Sequence, residues 1–258
     1  MKFENTDVWG FEHALRGARN PLESWEKSDT DNKVCFRLSD KCDACPYAYF
    51  NSCPPHIGEN DMDLAQRLIK AGPEHRKFLR QIFVSVDITA PLYWWKEFDT
   101  YKISTTANST STMHKLASKP ITLGCFETDD LDTILCFDAQ ADFSILDNFI
   151  PFLENLRTSY LACQEKSKDA NFTEAERKYY VTVAKSHWKE LVRWLPESWL
   201  QMRTVTMNYE NLYSMIRQRK NHKLNEWSGK DDPDLTNFIS WVKTLPYAKE
   251  FLFLGLED

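Results

Sequence analysis

The spacing of hydrophobic and polar residues predicts both helices and strands in the first half of the chain. Residues 5–30 contain a short helix that includes Trp9 and Phe11, and residues 61–72 place their apolar side chains on one helical face. Residues 81–88 partly alternate between apolar and polar positions, which predicts a strand. A dense aromatic helix is predicted at residues 92–98, and residues 104–112 form a tract rich in serine and threonine.

Helical patterns dominate the second half. Residues 145–195 are largely helical, and Thr173 with Glu176 three residues later predicts a capping box. Residues 200–207 favour a strand, residues 208–219 favour a helix, and further amphipathic helices close the chain. Together these elements predict an α+β fold.

Composition agrees with a folded protein. Hydrophobic residues make up 42% of the 258 residues and aromatic residues 14%, which is enough to build a core. The composition shifts only at a Cys- and Pro-rich stretch, residues 33–57. We therefore expect a single domain over residues 1–258 that carries this stretch as an insertion. None of the seven glycines belongs to a Gly-rich phosphate-binding motif.

The charge of the chain limits its partners. The formal net charge is −6, which disfavours duplex nucleic acid because that binding depends on an excess of Lys and Arg. A local cluster of cations would still suffice for one nucleotide. The polar, acidic start lacks the features of a signal peptide, and no apolar run reaches the length of a membrane span. These features predict a cytoplasmic protein without a membrane partner.

The insertion combines metal-ligand residue types at short spacing. It carries Cys35, Cys42, Cys45, Cys53 and His56. Four of these five would complete a tetrahedral zinc site, with either Cys35 or His56 as the spare. The alternatives are an iron–sulfur cluster held by the four cysteines, a reduced Cys-rich loop, or a disulfide pair. We interpret the insertion as a structural or interaction module.

The polar tract after the aromatic helix is the most informative segment. Residues 101–114 are crowded with hydroxyl groups and contain one amide, that of Asn108. Such side chains supply short donors and acceptors, which suits a polar ligand pocket. A solvated Ser/Thr loop is the plain alternative.

The order of residues around this tract resembles the flavin-dependent thymidylate synthases. Ala90-Pro91, the aromatic helix and Asn108-x-x-Ser111 are similar to the central region of that family. There, an Ala-Pro leads through a Trp-Phe helix into R-H-R-x-x-S-x-N-E-x-S-x-R-Y. The resemblance implies the fold of that family, with helices around a small mixed sheet.

The flanking regions carry the same resemblance. Upstream, Phe78-x-Arg80 stands where the family has Phe-Glu-His leading into a strand. Downstream, Leu195-Pro196 precedes Asn208, and Arg219 follows eleven residues later, as in the closing motif of the family. The similar landmarks cover about residues 60–230.

The resemblance also implies site residues. Arg219 matches the arginine that contacts and activates the uracil ring, and Ser111 matches a serine that positions the substrate; both are catalytic candidates. The implied flavin-binding residues are Arg80, Lys102, Asn108 and His222, and the implied substrate-binding residues are Ser109, Ser111, Arg193 and Arg219. The plain alternative for Arg219 is a solvated cation favoured by the helix dipole at a helix end.

The chain departs from the family at its cationic positions. The Arg-His-Arg falls on Tyr101-Lys102-Ile103, and the later Arg-Tyr falls on Met113-His114. A phosphate dianion is held by charge-assisted donors, so replacing Arg by Met removes a phosphate contact. Either Lys115, Lys102 or Arg193 substitutes for it, or the ligand differs.

Three functions follow, from different classes. The resemblance implies flavin-dependent methylation of deoxyuridine monophosphate or a close pyrimidine deoxynucleotide. Its implied cofactor is FAD, its co-substrates are NADPH and methylenetetrahydrofolate, and its assembly is a homotetramer. The second hypothesis is a protein of the same fold that has lost catalysis and binds a nucleotide or a protein partner. The third rests on the insertion alone and is a zinc-stabilised interaction module.

Overall fold

Residues 1–31, 53–128, 137–138, 143–230 and 236–256 are described by the computed structural model. The strands are β1 (Lys2–Trp9), β2 (Phe83–Pro91), β3 (Thr106–Ser109), β4 (Phe137–Asp138), β5 (Phe143–Ser144) and β6 (Leu200–Asn208). The helices are α1 (Phe11–Arg19), α2 (Glu59–Ala71), α3 (Leu92–Phe98), α4 (Thr112–Lys115), α5 (Ile145–Lys168), α6 (Glu174–Arg193), α7 (Tyr209–Arg219), α8 (Asn225–Ser228) and α9 (Phe238–Lys243). The predictions for α2, α3, β6 and α7 are confirmed to within a few residues.

The chain divides into two compact units, each built from separate stretches of sequence. The first unit comprises Met1–Thr89, Glu97–Asn108 and Met202–Asp258. The second comprises Ala90–Lys96 and Ser109–Gln201. The interpretation of residues 1–258 as a single domain stays a prediction.

The larger sheet has the strand order β1-β2-β6-β3, and β4 pairs with β5 in a second, two-stranded sheet. β1 runs antiparallel to β2. β2 and β6 are also antiparallel: the N–H of Tyr209, after β6, donates to the carbonyl of Ile82, before β2, and the N–H of Leu92 donates to the carbonyl of Trp199. The sheet is small, as expected. These neighbouring strands are antiparallel, however, where we expected a mixed sheet.

Alternation along β2 is confirmed. Val84, Val86 and Ile88 are fully buried, and the residues between them are more exposed. Branched side chains at every second position pack well on one face of a sheet. This strand forms the inner part of the sheet, between β1 and β6.

The N-terminal segment corrects a prediction. We assigned Trp9 to a helix within residues 5–30, but β1 extends through Trp9 and the helix begins only at Phe11. β1 lies at the edge of the sheet and buries few side chains, so its apolar residues do not alternate clearly. Trp9 is 43% exposed and stacks on Phe83 of the neighbouring strand, with ring centroids 5.9 Å apart. Gly10 makes the turn between the two elements at a φ of 98°, where a Cβ would meet the carbonyl oxygen of Gln81.

Aromatic side chains fill the core of the first unit. The hydroxyl of the fully buried Tyr209 donates to the carbonyl of Pro246 at 2.6 Å, so its polar end is satisfied. The other large, fully buried rings of this unit are Phe11, Trp227, Phe238 and Phe251. The site residues of the first unit are therefore anchored on closely packed rings.

Two long helices and a separate core build the second unit. The predicted capping box is present at the start of α6: Thr173 and Glu176 bond to each other's backbone N–H groups. Leu153 near the start of α5 and Leu191 near the end of α6 belong to one buried cluster, so the helices run antiparallel. Trp95 is also buried and donates to the carbonyl of Gln201 at 2.9 Å. Among the described residues, no helix is both long and apolar enough to cross a membrane.

Candidate functional site

Helix α7 places Arg219 in the first unit. The Asn208 side chain accepts a hydrogen bond from the backbone N–H of Asn211 at 2.9 Å, and Asn211 reciprocates at 3.2 Å. This capping box satisfies N–H groups that the first turn of a helix leaves unpaired. The helix therefore begins at one residue of the predicted closing motif and ends at another.

The guanidinium of Arg219 is held by neighbouring side chains. Its Nε donates to the hydroxyl of Tyr101 at 2.8 Å, and its Nη1 donates to the carboxylate of Glu97. The guanidinium carbon also lies 4.9 Å from the ring centroid of Trp227, a cation–π distance. The side chain is 17% exposed. Within the described part of the chain, Nη2 of Arg219 makes no hydrogen bond, so it remains available to a ligand.

His222 contacts the same carboxylate. Its Nε2 lies 3.0 Å from Oε2 of Glu97, and its Nδ1 accepts a hydrogen bond from the backbone N–H of Leu224 at 3.1 Å. The resemblance implies a substrate contact for Arg219 and a flavin contact for His222, and in the structure both side chains contact Glu97. We call Glu97, Tyr101, Arg219, His222 and Trp227 the arginine cluster.

The second unit contains a cavity of about 420 Å³ beside the polar tract. Ser111 lines it and also caps the short helix α4, because its hydroxyl accepts from the backbone N–H of His114 at 3.2 Å. Lys115 and Lys119 line the same cavity, which gives it two cations. The remaining lining is partly hydroxyl and partly apolar: Thr110, Thr112, Leu116, Ser118, Pro120, Cys125, Trp199 and Leu200. We call this space the hydroxyl cavity.

Helix α5 holds the loop that shapes the hydroxyl cavity. The carboxylate of Glu154 accepts from the backbone N–H of Ile121 at 2.7 Å, and Arg157 donates to the carbonyl of Ala117 at 3.1 Å. The two side chains also form an ion pair at 2.6 Å. The hydrogen bond from Arg157 holds the pKa of Glu154 below its ordinary value. The loop is thus fixed to the helix at both ends.

Arg80 lies at a different cavity, in the first unit. This cavity has a volume of about 560 Å³, and His75 and Lys77 line it together with Arg80. The other lining residues come from α1, the turn that follows it, α2 and the segment before β2. Glu74 adds one carboxylate to the lining, but the basic side chains outnumber it, which favours an anionic ligand. We call it the Arg80 cavity.

The remaining predicted site residues lie at the surface. Lys102, Asn108 and Ser109 are exposed, the last two in β3. Arg193 is exposed as well and forms an ion pair with Glu190 one helical turn earlier. The structure therefore groups Arg219 with His222, and Ser111 with Lys115. It leaves Lys102 and Arg193 outside both groups.

The predicted metal ligands fall largely outside the described residues, where Cys35, Cys42 and Cys45 lie. Cys53 is half-buried, and the backbone of the exposed His56 forms an isolated bridge with Asp31. In the described ranges, no group of His, Cys, Asp and Glu side chains could hold a metal ion. The zinc assignment stays a prediction.

Sequence reasoning did not identify Glu97, Tyr101 or Trp227 as site residues. Glu97 is separated from Arg219 by 122 residues, so no local motif connects them. No signal within α3 singled out Glu97 either, because the neighbouring Lys96 is also charged and Glu97 is 33% exposed.

Comparisons with known proteins place the fold. No protein-family model matches the chain, and no curated protein sequence matches it significantly. Among solved structures, it is similar to ThyX, the flavin-dependent thymidylate synthase of Helicobacter pylori, in a complex with FAD and dUMP. That match covers 100% of both chains with a TM-score of 0.53 and 16% identity. A second structure of the Helicobacter pylori ThyX, also with FAD and dUMP, matches as well. That match covers 99% of the present chain and 100% of the ThyX chain, with a TM-score of 0.53 and 17% identity. The chain therefore has the fold of the ThyX flavin-dependent thymidylate synthases.

Proposed function

We propose that the protein is a flavin-dependent enzyme of nucleotide biosynthesis that methylates deoxyuridine monophosphate or a close pyrimidine deoxynucleotide. The observation that carries this proposal is the match over the full length of a thymidylate synthase solved with FAD and dUMP. A shared fold alone does not assign a reaction, so the residues of the chain must supply the rest. Support for the proposal comes from three places: the arginine cluster, the hydroxyl cavity and the Arg80 cavity.

The arginine cluster supports the methylation chemistry. A guanidinium that donates to a carbonyl oxygen of the pyrimidine withdraws electron density from the ring and stabilises negative charge that develops there. Nη2 of Arg219 has no partner among the described residues and can make that bond. Ser111 would position the substrate rather than attack it.

The Arg80 cavity fits part of the implied cofactor. FAD carries a pyrophosphate, and the basic side chains of Arg80, Lys77 and His75 offer the donors that such an anion requires. We propose Arg80, Lys102, Asn108 and His222 as flavin-binding residues. When bound, the flavin would supply a hydride, with NADPH as its reductant and methylenetetrahydrofolate as the one-carbon donor. A homotetramer remains part of the proposal.

The cofactor is tested first, by the visible absorption spectrum of the purified protein before and after FAD is added. We expect a bound-flavin spectrum in at least the second state, and thymidylate formation when deoxyuridine monophosphate and the co-substrates are supplied. No flavin binding under either condition would reject the methylation reaction. It would then favour the alternative described next.

The alternative is a binding protein of the same fold without catalysis. Met113 stands where the family has an arginine, and it is 55% exposed. Nucleotide binding without flavin binding, measured by calorimetry, would select this alternative. Binding of neither ligand would exclude methylation and nucleotide binding and would leave the binding of a protein partner as the alternative.

The hydroxyl cavity yields a prediction on the affinity for deoxyuridine monophosphate, since its two lysines offer donors to the phosphate. Replacing Lys115 and Lys119 together with alanine is expected to weaken binding of deoxyuridine monophosphate about tenfold, because a charge-assisted hydrogen bond contributes about 1.5 kcal/mol or more. Titration calorimetry at low and high salt should show that the loss shrinks as salt screens the lysines. Binding of deoxyuridine, which has no phosphate, should change little.

The double variant Lys185→Ala, Lys189→Ala is the matched control for this experiment, since it removes the same number of charges. Lys185 and Lys189 are exposed lysines of the same unit and lie on α6, outside the cavity lining. Equal losses in the control and in the Lys115, Lys119 variant would mean that the effect comes from net charge. Unchanged affinity in the Lys115, Lys119 variant would mean that these lysines do not bind the phosphate.

A further inference from the structure

One carboxylate contacts both Arg219 and His222, for which the resemblance implies different roles. Oε2 of Glu97 accepts from Nη1 of Arg219 and lies 3.0 Å from Nε2 of His222. Glu97 comes from α3, whereas Arg219 ends α7 and His222 lies in the turn after it. The Glu97 side chain is 33% exposed, so this contact lies near the surface and not in the core.

The hydrogen bonds of His222 determine its tautomer. Nδ1 accepts from the backbone N–H of Leu224 at 3.1 Å, so in the neutral ring the proton resides on Nε2. Nε2 therefore donates to Glu97. A carboxylate that accepts from one imidazole nitrogen fixes both the orientation and the tautomer of the ring.

The orientation of Arg219 is fixed in the same way. Glu97 holds Nη1, and the hydroxyl of Tyr101 holds Nε at 2.8 Å. That hydroxyl in turn donates to Oε1 of Gln218 at 3.1 Å. With two donor positions occupied and the plane set, Nη2 is the donor left for a ligand among the described contacts.

The charge of Glu97 also limits what Arg219 can bind. An adjacent carboxylate offsets the positive charge of the guanidinium, so the pair is a poor site for a phosphate dianion. A neutral acceptor, such as a ring carbonyl, needs only the directed N–H group. This favours the base over the phosphate as the group that Arg219 contacts.

We infer that Glu97 is a positioning residue of the proposed reaction: it aims Nη2 of Arg219 at a carbonyl of the pyrimidine and fixes the orientation of the His222 ring by accepting from its Nε2–H. This inference rests on the proposed function. Tyr101 acts beside Glu97 by holding Nε. Glu97 itself makes no contact with the reacting atoms.

The test compares Glu97→Ala and Glu97→Gln in the full chain. The first readout is the nitrogen chemical shifts of His222, assigned by their loss in His222→Gln. Wild type is expected to show the Nε2–H tautomer. In Glu97→Ala the Nε2–H group loses its acceptor, so the Nε2 shift is expected to move. Unchanged His222 shifts in Glu97→Ala would overturn the inference, whether or not the protein is an enzyme.

The second readout is turnover of deoxyuridine monophosphate. Glu97→Ala is expected to lower kcat about 10- to 100-fold with little change in KM, as loss of a supporting partner typically does. Glu97→Gln keeps an acceptor oxygen and should recover most of that loss. A folded Glu97→Ala variant with wild-type kcat would overturn the inference.

A control variant and the turnover of the wild-type protein separate the inference on Glu97 from the proposed function. Asp99→Ala removes a nearby exposed acid that pairs with Arg203 at 2.8 Å, and it should leave both readouts unchanged. A wild-type protein without turnover would reject the proposed function. The nitrogen shifts of His222 then decide the inference, because they do not depend on turnover.

Discussion

Replacing Asp61 with alanine is expected to lower the free energy of unfolding by about 3–5 kcal/mol, the range for removal of one member of a buried ion pair. Asp61 is completely buried, and its partner Arg19 is 4% exposed. Nε of Arg19 donates to Oδ1 of Asp61 at 2.6 Å. Without the carboxylate, the guanidinium would stay buried beside carbonyl groups with no opposite charge.

Asp61 also organises the segment that crosses the start of α2. Its Oδ2 accepts from the hydroxyls of Ser28 and Thr30 at 2.7 and 2.6 Å, and from the backbone N–H groups of Asp29 and Thr30 at 3.2 and 3.1 Å. Burial is the largest single influence and raises the pKa of this carboxyl. The hydrogen bonds from Thr30, Ser28 and Arg19 together outweigh it and hold the pKa of Asp61 below its ordinary value.

The lowered pKa sets the pH dependence of this stabilisation. A carboxyl with a depressed folded-state pKa stabilises the protein fully above its unfolded pKa, about 3.9, and loses that contribution as pH falls through the folded value. The difference in stability between wild type and Asp61→Asn should therefore be constant above about pH 5 and shrink in more acidic solution. Urea unfolding over a series of pH values measures it.

Asp63→Ala is the matched control for both Asp61 variants. Asp63 lies on the same helix and pairs with Arg67, but the two side chains are 67% and 68% exposed. An exposed pair of this kind contributes about 0.5 kcal/mol or less. Equal destabilisation by Asp63→Ala and Asp61→Ala would mean that burial does not determine how much an ion pair contributes to the free energy of unfolding here.

The parts of the fold that sequence predicts are those with a buried face. β2 alternates buried Val84 and Val86 with more exposed neighbours, so its period of two is visible in the sequence. The strand β3 has no buried residue at all and lies within the Ser/Thr tract, so nothing in its pattern indicated a strand. β1 was missed for a related reason, since an edge strand buries few side chains.

In the candidate site as well, the sequence predicts only some of the residues. Arg219 and His222 are three residues apart, so a motif could select both. Glu97 and Tyr101 reach Arg219 from more than one hundred residues away, and only the folded chain reveals them. The ion pair of Arg193 with Glu190 is the opposite case: it joins residues one helical turn apart, and the sequence alone could have suggested it.

Replacing Arg219 with alanine is expected to lower kcat/KM for deoxyuridine monophosphate by about 10²–10³-fold, the usual effect of removing one donor that stabilises developing charge. The loss should appear mainly in kcat, because the bond from Nη2 to the ring carbonyl strengthens as charge develops. Arg219→Lys should recover little activity. A single ammonium lacks the planar fork that contacts Glu97 and Tyr101 while keeping Nη2 for the ligand.

Stability and a neighbouring residue provide the controls for Arg219→Ala. The side chain is 17% exposed and lies at the end of α7, so its removal should leave the far-ultraviolet circular dichroism spectrum unchanged. Lys220→Ala removes the next cation, which is exposed at the helix terminus, and turnover should stay near the wild-type value. Wild-type turnover by a folded Arg219→Ala variant would exclude this guanidinium from the mechanism. Loss of activity in both variants would instead indicate a general effect of positive charge at this end of α7.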